Sequence, residues 1–344
     1  MKLNLKALTL LLIVTSLMVR NATAAVNIDS VLVGNAGNAN DTTGFGAVSN
    51  SYNIGKYEVT LTEYTAFLNA VGAADTYSLY NANMATVLNS AGISRSGVSG
   101  SFSYAVIGTG ARPVTFVSWF DAARFANWMH NGQPTGLQTA STTEDGAYSL
   151  LGAVSGVGIT KNPGAQFWIP SENEWYKAAY NQPAANGGDV DNYWLYPTRN
   201  NAIPNSRNGS ASDPNSANFN RDDGIANGFN GGYAVSGSTA FSATQQYLTD
   251  GSAYNIAGTY YGTFDHGGTV WVWTDAVIGA NRGRRGGSWS DQETLLRASN
   301  QGNLLPTIEA SNVGFRVAIV PEPSVIALLT LGAALMAVRR KRTD

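Results

Sequence analysis

Between Tyr261 and Trp289 the chain sets glycines beside its largest rings. The run is Tyr261-Gly262-Thr263-Phe264-Asp265-His266-Gly267-Gly268-Thr269-Val270-Trp271-Val272-Trp273-Thr274-Asp275, and Arg284-Arg285-Gly286-Gly287-Ser288-Trp289 follows. Paired glycines admit backbone turns that side chains forbid. The alternation of Val270 to Trp273 is that of a strand with one face in a core, so the Trp pair is expected to pack beneath the glycine loop. Gly314-Phe315-Arg316-Val317 closes the series. Trp119, Trp128, Trp168, Trp175 and Trp289 read as further core. Trp194 stands apart: flanked by Tyr193 and Tyr196 in a polar loop, it either anchors that loop or offers a stacking platform for a carbohydrate.

Three helices announce their starts with a hydroxyl residue and an acid three positions on. Thr60 with Glu63 precedes Leu61, Tyr64, Phe67, Leu68 and Val71, ending at Gly72. Ser118 with Asp121 precedes Ala122, Phe125, Ala126 and Met129, ending near Gly132. Ser171 with Glu174 precedes Trp175, Ala178 and Ala179, with Pro183 beyond. Short strands fit 54–59, 166–169, 270–273, 285–289 and 314–319. Long Asn/Gly/Ser-rich connections at 186–192, 200–220 and 224–237 suit a compact domain only if they are packed or functional. No repeat or linker divides the chain, which reads as one domain over 25–320.

Both ends are patterned for export. Lys2 and Lys6, an apolar run over 7–19 and Ala22-Thr23-Ala24 make a secretory signal over 1–24, for removal by signal peptidase. At the far end Pro321-Glu322-Pro323 precedes an apolar run over 324–338 and Arg339-Arg340-Lys341-Arg342. Fifteen residues at about 1.5 Å each fall short of a bilayer core of about 30 Å. Segment 321–344 resembles the PEP-CTERM sorting signal of Gram-negative bacteria. That resemblance implies recognition by an exosortase, loss of the tail, and release at the cell surface, often beside extracellular polysaccharide. A permanent single-span anchor is the alternative, and the membrane is met only through this segment.

Without the two ends, 7 of the 21 basic and 2 of the 23 acidic residues are gone, leaving 14 against 21, a net charge of −7. An acidic surface with Lys56, Lys161 and Lys177 as its only lysines repels phosphate backbones and excludes nucleic acid as a partner. There is no cysteine, so no disulfide staples an exported fold.

In order and spacing the glycine–aromatic blocks resemble the formylglycine-generating enzyme (sulfatase-modifying factor) family, whose pattern reads Y-G-x-x-D-x-x-G-N-V-W-E-W, R-G-G-S-W, then G-F-R. Further blocks agree: Ile54-Gly55-Lys56-Tyr57-Glu58-Val59-Thr60, Arg112-Pro113-Val114 with Val117-Ser118-Trp119-Phe120-Asp121-Ala122, and Ile169-Pro170-Ser171-Glu172-Asn173-Glu174-Trp175. The resemblance spans about 54 to 318. It implies an α+β, C-type-lectin-like fold with little regular secondary structure and long loops, and makes Arg285 and Arg316 structural arginines that hold loops through carboxylates.

The family oxidises a substrate cysteine with copper held by two of its own cysteines. Asp291 stands at the first position and the second falls near Leu296, and neither a carboxylate nor an aliphatic side chain can replace a thiolate that selects Cu(I). Formylglycine generation and copper are therefore excluded. The family's calcium-binding Asn and Glu are replaced by Thr269 and Val272. A second family calcium site uses an Asn–apolar pair, matched by Asn218-Phe219, with Asp213, Asp222 and Asp223 near enough in sequence to add hard oxygen ligands. The alternative is that these acids cap turns. Of the two histidines, His130 suits a cation at a helix C-terminus. His266 is a structural histidine or, with Asp265, an acid/base pair. Three functions follow: a non-catalytic exported binding protein with Tyr193, Trp194 and Tyr196 as candidate ligand contacts; an enzyme of altered chemistry using Asp265, His266 and Asp291 in the family's pocket; or a structural component of the extracellular polymer layer.

Overall fold

The computed structural model describes residues 25–209, 212–221 and 231–321. The leader, the tail beyond Pro321, and Asp222 and Asp223 lie outside them. Among the described residues no helix is long and apolar enough to cross a membrane.

The three expected helices form where their caps place them. They are α1 (Leu61–Val71), α2 (Trp119–His130) and α3 (Glu172–Tyr180). Each carries a reciprocal capping box. Ser118 Oγ accepts from Asp121 N at 3.1 Å while Ser118 N donates to Asp121 Oδ2 at 2.8 Å, and the Thr60–Glu63 and Ser171–Glu174 pairs repeat this. Such a cap contributes about 1 kcal/mol. Every residue of α2 from Trp119 to Met129 is buried, so this helix is enclosed on all sides. Tyr64 and Phe67 of α1 meet Phe125 and Trp128 of α2 and Phe315, with ring centroids from 5.2 Å (Phe67–Trp128) to 6.2 Å (Tyr64–Phe125).

Two four-stranded sheets flank this core. The first runs in the order β1 (Ser30–Val33), β2 (Tyr52–Gly55), β14 (Ala318–Ile319) and β5 (Phe167–Trp168), all antiparallel. Two small pairs come next in the chain, β3 (Ile93–Ser96) with β4 (Ser103–Val106), and β6 (Asn205–Ser206) with β7 (Ser216–Ala217). A third joins β8 (Asn220–Arg221) to β9 (Gly232–Tyr233). The second large sheet is built on the hairpin of β10 (Trp271–Ile278) and β11 (Asn281–Arg285), with β12 (Gly302–Leu304) beside β11 and β13 (Val313–Gly314) parallel to β10.

Three strand expectations need correction. The strand expected over 54–59 lies instead at Tyr52–Gly55. The strand expected over 285–289 ends at Arg285, because Gly286 and Gly287 take φ of +100° and +69°, conformations that leave a ladder. The segment 314–319 is not one strand but two. β13 belongs to one sheet and β14 to the other, and Phe315-Arg316-Val317 carries the chain between them. The face expectation for β10 is also too narrow, since Trp271, Val272 and Trp273 are all buried.

Four arginines, Arg124, Arg282, Arg285 and Arg316, are buried and each has a carboxylate: Glu144 at 2.7 Å, Asp275 at 3.0 Å, Glu172 at 2.7 Å and Glu58 at 2.6 Å. Arg285 also donates to the carbonyls of Ala298 and Asn300, and Arg316 to those of Gly55, Lys56 and Phe264. They hold loops, as the resemblance implies. Removing one member of such a pair leaves a buried charge and costs about 3–5 kcal/mol.

Candidate functional site

After β11 the chain must turn sharply, and glycine is required where it does. A Cβ on Gly286 would lie 2.4 Å from His266 O, and one on Gly268 would lie 2.1 Å from Asn218 O. Gly268 N donates to Gly286 O at 2.9 Å, joining the two glycine loops. The turn presents Ser288, Trp289, Ser290 and Asp291. Ser288 Oγ donates to Asp291 Oδ2, Asp291 N donates to Ser288 O, and Asn312 Nδ2 reaches both serine hydroxyls at 3.2 Å. Asn220 N donates to Asp291 O at 2.8 Å, and its own Oδ1 is buried without a partner. Arg284 stacks on Trp271 at 4.4 Å. Burial draws the Arg284 pKa down, and the Asp291 carboxylate pulls it partly back.

This cluster lies where the resemblance places the first thiolate, and it offers hydroxyls, an amide and a carboxylate. The second position, Leu296, is fully buried with Tyr196, Ala217 and Phe219. Hard oxygen donors on one side and an aliphatic group on the other give Cu(I) no soft pair. Sequence reasoning found Asp291 but not Asn220, Arg284 or Asn312. They arrive from three separate segments, of which only that of Arg284 belongs to a block quoted above.

His266 lies behind this turn, in the interior, and Asp265 next to it is half-buried. Both line a small cavity of about 10 Å³ with Thr198, Ser216, Tyr254 and Thr259, room for about one water. Asp265 Oδ2 and both His266 ring nitrogens have no hydrogen-bond partner in the protein. The His266 ring meets Trp175 edge-on at 4.8 Å. Burial, and secondly Glu58, raises the Asp265 pKa well above its ordinary value, against the pull of Arg316. Burial, and secondly the Arg316 charge, lowers that of His266. Both shifts favour the uncharged forms, a carboxylic acid beside a neutral imidazole. His266 is only 2% exposed. Asp265 and His266 therefore share no open pocket with Asp291.

His130 stands at the C-terminal end of α2, and its Nδ1 accepts from Gln166 N at 3.0 Å.

The aromatic trio divides. Tyr193 is buried, its hydroxyl donating to Ala39 O at 2.7 Å and accepting from Asn38 Nδ2. Tyr196 is buried and takes a hydrogen bond from Arg297. Neither ring has a face to offer a ligand, which corrects their assignment as contacts. Trp194 is half-buried, donates to Gln182 Oε1 at 2.9 Å and borders a cleft of about 260 Å³ with Arg199 and Asn200.

The described part of the candidate calcium site is engaged in protein hydrogen bonds. Asn218 turns its amide nitrogen to Tyr247 O at 2.8 Å, and Phe219 O already accepts from Ser206 Oγ and Ala234 N, filling both lone pairs. Asp213 is drawn into its own turn by Asn205, Arg207 and Asn215 N. Thr269 and Val272 are both buried. Among the described residues no group of three or more His, Cys, Asp or Glu side chains could hold a metal ion.

Solved structures similar to this chain include that of CarF, 20% identical, covering 86% of this chain and 99% of its own with a TM-score of 0.49. Treponema denticola variable protein 1 is 19% identical over 87% of this chain and 93% of its own, with a TM-score of 0.40. PvdO from Pseudomonas aeruginosa is 16% identical over 85% and 91%, with a TM-score of 0.38. No curated protein matches the sequence. The family model described as the sulfatase-modifying factor enzyme 1-like domain matches residues 24–320, and the chain belongs to that family.

Proposed function

We propose that this protein is an exported, non-catalytic member of its family, a binding protein of the cell surface or extracellular polymer layer on a C-type-lectin-like scaffold. In this reading signal peptidase removes residues 1–24, and an exosortase processes the tail that begins Pro321-Glu322-Pro323. Extracellular polysaccharide is the partner class that such a tail favours. The observation that carries the reading is the fate of the two thiolate positions: Asp291 is tied into a serine–asparagine network and Leu296 is packed in an apolar cluster. Loops held by buried arginine–carboxylate pairs support a scaffold kept for display.

An enzyme of altered chemistry has less in its favour. Its three candidate residues do not converge, and Asp265 and His266 face a small cavity that Asp291 does not line. The test incubates the purified full-length protein with a cysteine-bearing sulfatase peptide, with and without copper, and looks for the peptide aldehyde by mass spectrometry. No aldehyde is expected; its appearance would overturn the reading. Intact-mass measurement on native surface material reads the export half. Loss of 1–24 and of everything beyond the Pro321 region is expected, and retained Arg339–Arg340 would refute exosortase processing.

A further inference from the structure

Away from Asp291, a polar cleft of about 390 Å³ opens between the loop ahead of Arg112 and the segment 245–253. It shares no lining residue with the Asp291 cluster, the His266 cavity or the Trp194 cleft. Its walls are fixed from outside: Leu61 N donates to Arg112 O at 2.9 Å, and Gly251 N to Ala111 O at 3.1 Å. Val235 and Leu248 give an apolar floor, packed on the stacked rings of Tyr247 and Trp289, whose centroids are 4.6 Å apart and 2° from parallel.

The polar groups are incompletely used. Arg112 Nε is buried without a hydrogen-bond partner, and the nearest Asp250 oxygen, Oδ1, is 3.9 Å away, too far for a direct bond. That oxygen is held in place by Thr109 Oγ1. Arg112 and Asp250 both line the cleft, their side chains partly exposed, and thus set a donor and an acceptor side by side without a direct bond between them. Exposed Asn208 and half-buried Gln245 add amides at the rim.

This arrangement discriminates among ligands. A simple anion would meet Asp250, and a simple cation would meet Arg112. A neutral molecule with adjacent hydroxyls can accept from the guanidinium and donate to the carboxylate at once. Its C–H face would rest on Val235 and Leu248. We propose that this cleft is a binding site for a neutral pyranose, one or two sugar units of a polysaccharide chain. The volume falls in the range of small-molecule sites, roughly 300–1,000 Å³. The proposal rests on the binding-protein reading above and names its site and ligand class.

The test titrates the purified full-length protein with cellobiose, maltose and N,N′-diacetylchitobiose, with glycerol as a small polyol, by calorimetry. Saturable one-to-one binding of at least one disaccharide, and none of glycerol, is expected. Asp250→Asn and Asn208→Ala should each weaken it, the former by about tenfold or more, the loss of a hydrogen bond to a charged group. Asn208 is exposed, so its truncation leaves folding intact if Asp250→Asn disturbs the loop. Silence toward all three disaccharides overturns the assignment, and so does binding that survives both substitutions. Binding lost in Trp194→Ala but kept in Asp250→Asn also overturns it, moving the ligand to the other cleft. None of these outcomes touches the absence of oxidase activity, which the aldehyde assay reads separately.

Discussion

Replacing His266 by leucine should make the protein less sensitive to mild acid, and the size of the effect follows from linkage. Burial and Arg316 hold the folded His266 pKa well below 6.5, while the unfolded chain titrates normally. Below about pH 6.5 the unfolded state therefore binds a proton that the folded state refuses. Stability from this group is present above pH 6.5 and is lost as pH falls, at about 1.4 kcal/mol per unit, or roughly 2 kcal/mol by pH 5. Other groups oppose it. Burial raises Asp121 and Asp275 to about 7, and raises Asp265 above its ordinary value, so their contributions are full at low pH and lost as pH rises. Subtracting variant from wild type at each pH cancels Asp121 and Asp275. Asp265 lies beside the substitution and is held constant by making the same comparison in an Asp265→Asn background. Urea unfolding at pH 7.5, 6.5, 5.8 and 5.0 reads the difference. The wild type should lose about 2 kcal/mol relative to His266→Leu between the middle and the lowest pH. A difference that stays flat from pH 7.5 to 5.0 would refute the picture of a buried neutral imidazole. The offset at pH 7.5 carries separate information. A dry cavity makes leucine the more stable by about 1–3 kcal/mol, the cost of unpaired buried polar atoms, and a bound water reverses the sign.

Gly286→Ala should cost about 2 kcal/mol or more, because φ of +100° is left-handed and the new Cβ would meet His266 O at 2.4 Å; an unchanged urea midpoint would contradict the turn geometry. Millimolar calcium should leave the melting temperature unchanged, since Phe219 O is already doubly bonded. A hundredfold excess over a real dissociation constant would add about 2.7 kcal/mol. A rise that Asp223→Ala abolishes would show that 222–223 complete a site.

How much of this could be read from the sequence depended on whether the cause was local. The three capping boxes were legible because cap and acid sit three residues apart, and all three are present as hydrogen bonds. The aromatic core was legible because Trp175 shares a helix face with Ala178 and Ala179 and Trp119 stands in a block that the resemblance covers. The end of β11 at Arg285 was not, because an Arg-Gly-Gly-Ser-Trp run also suits a strand until glycine torsions are known. Tyr193 and Tyr196 misled for a related reason. A polar loop suggests exposure, yet Asn38 and Ala39 come from 154 and more positions away to bury the Tyr193 hydroxyl. The Arg112–Asp250 cleft was invisible for the same reason, being formed by segments with no shared pattern.

The strand at the end of the domain has a further consequence, for the order of events during synthesis. β14 occupies the centre of the first sheet between β2 and β5, and Arg316 bonds to Gly55 across 261 positions of chain. Until residue 319 has emerged, β2 and β5 each keep an unpaired edge, and the Glu58 carboxylate lacks its guanidinium. Closure over so long a span is slow and leaves open edges available to other chains. A chain passed through a membrane from its N-terminus would therefore stay unlatched until almost all of the domain has crossed, and would become compact only as its last strand arrives.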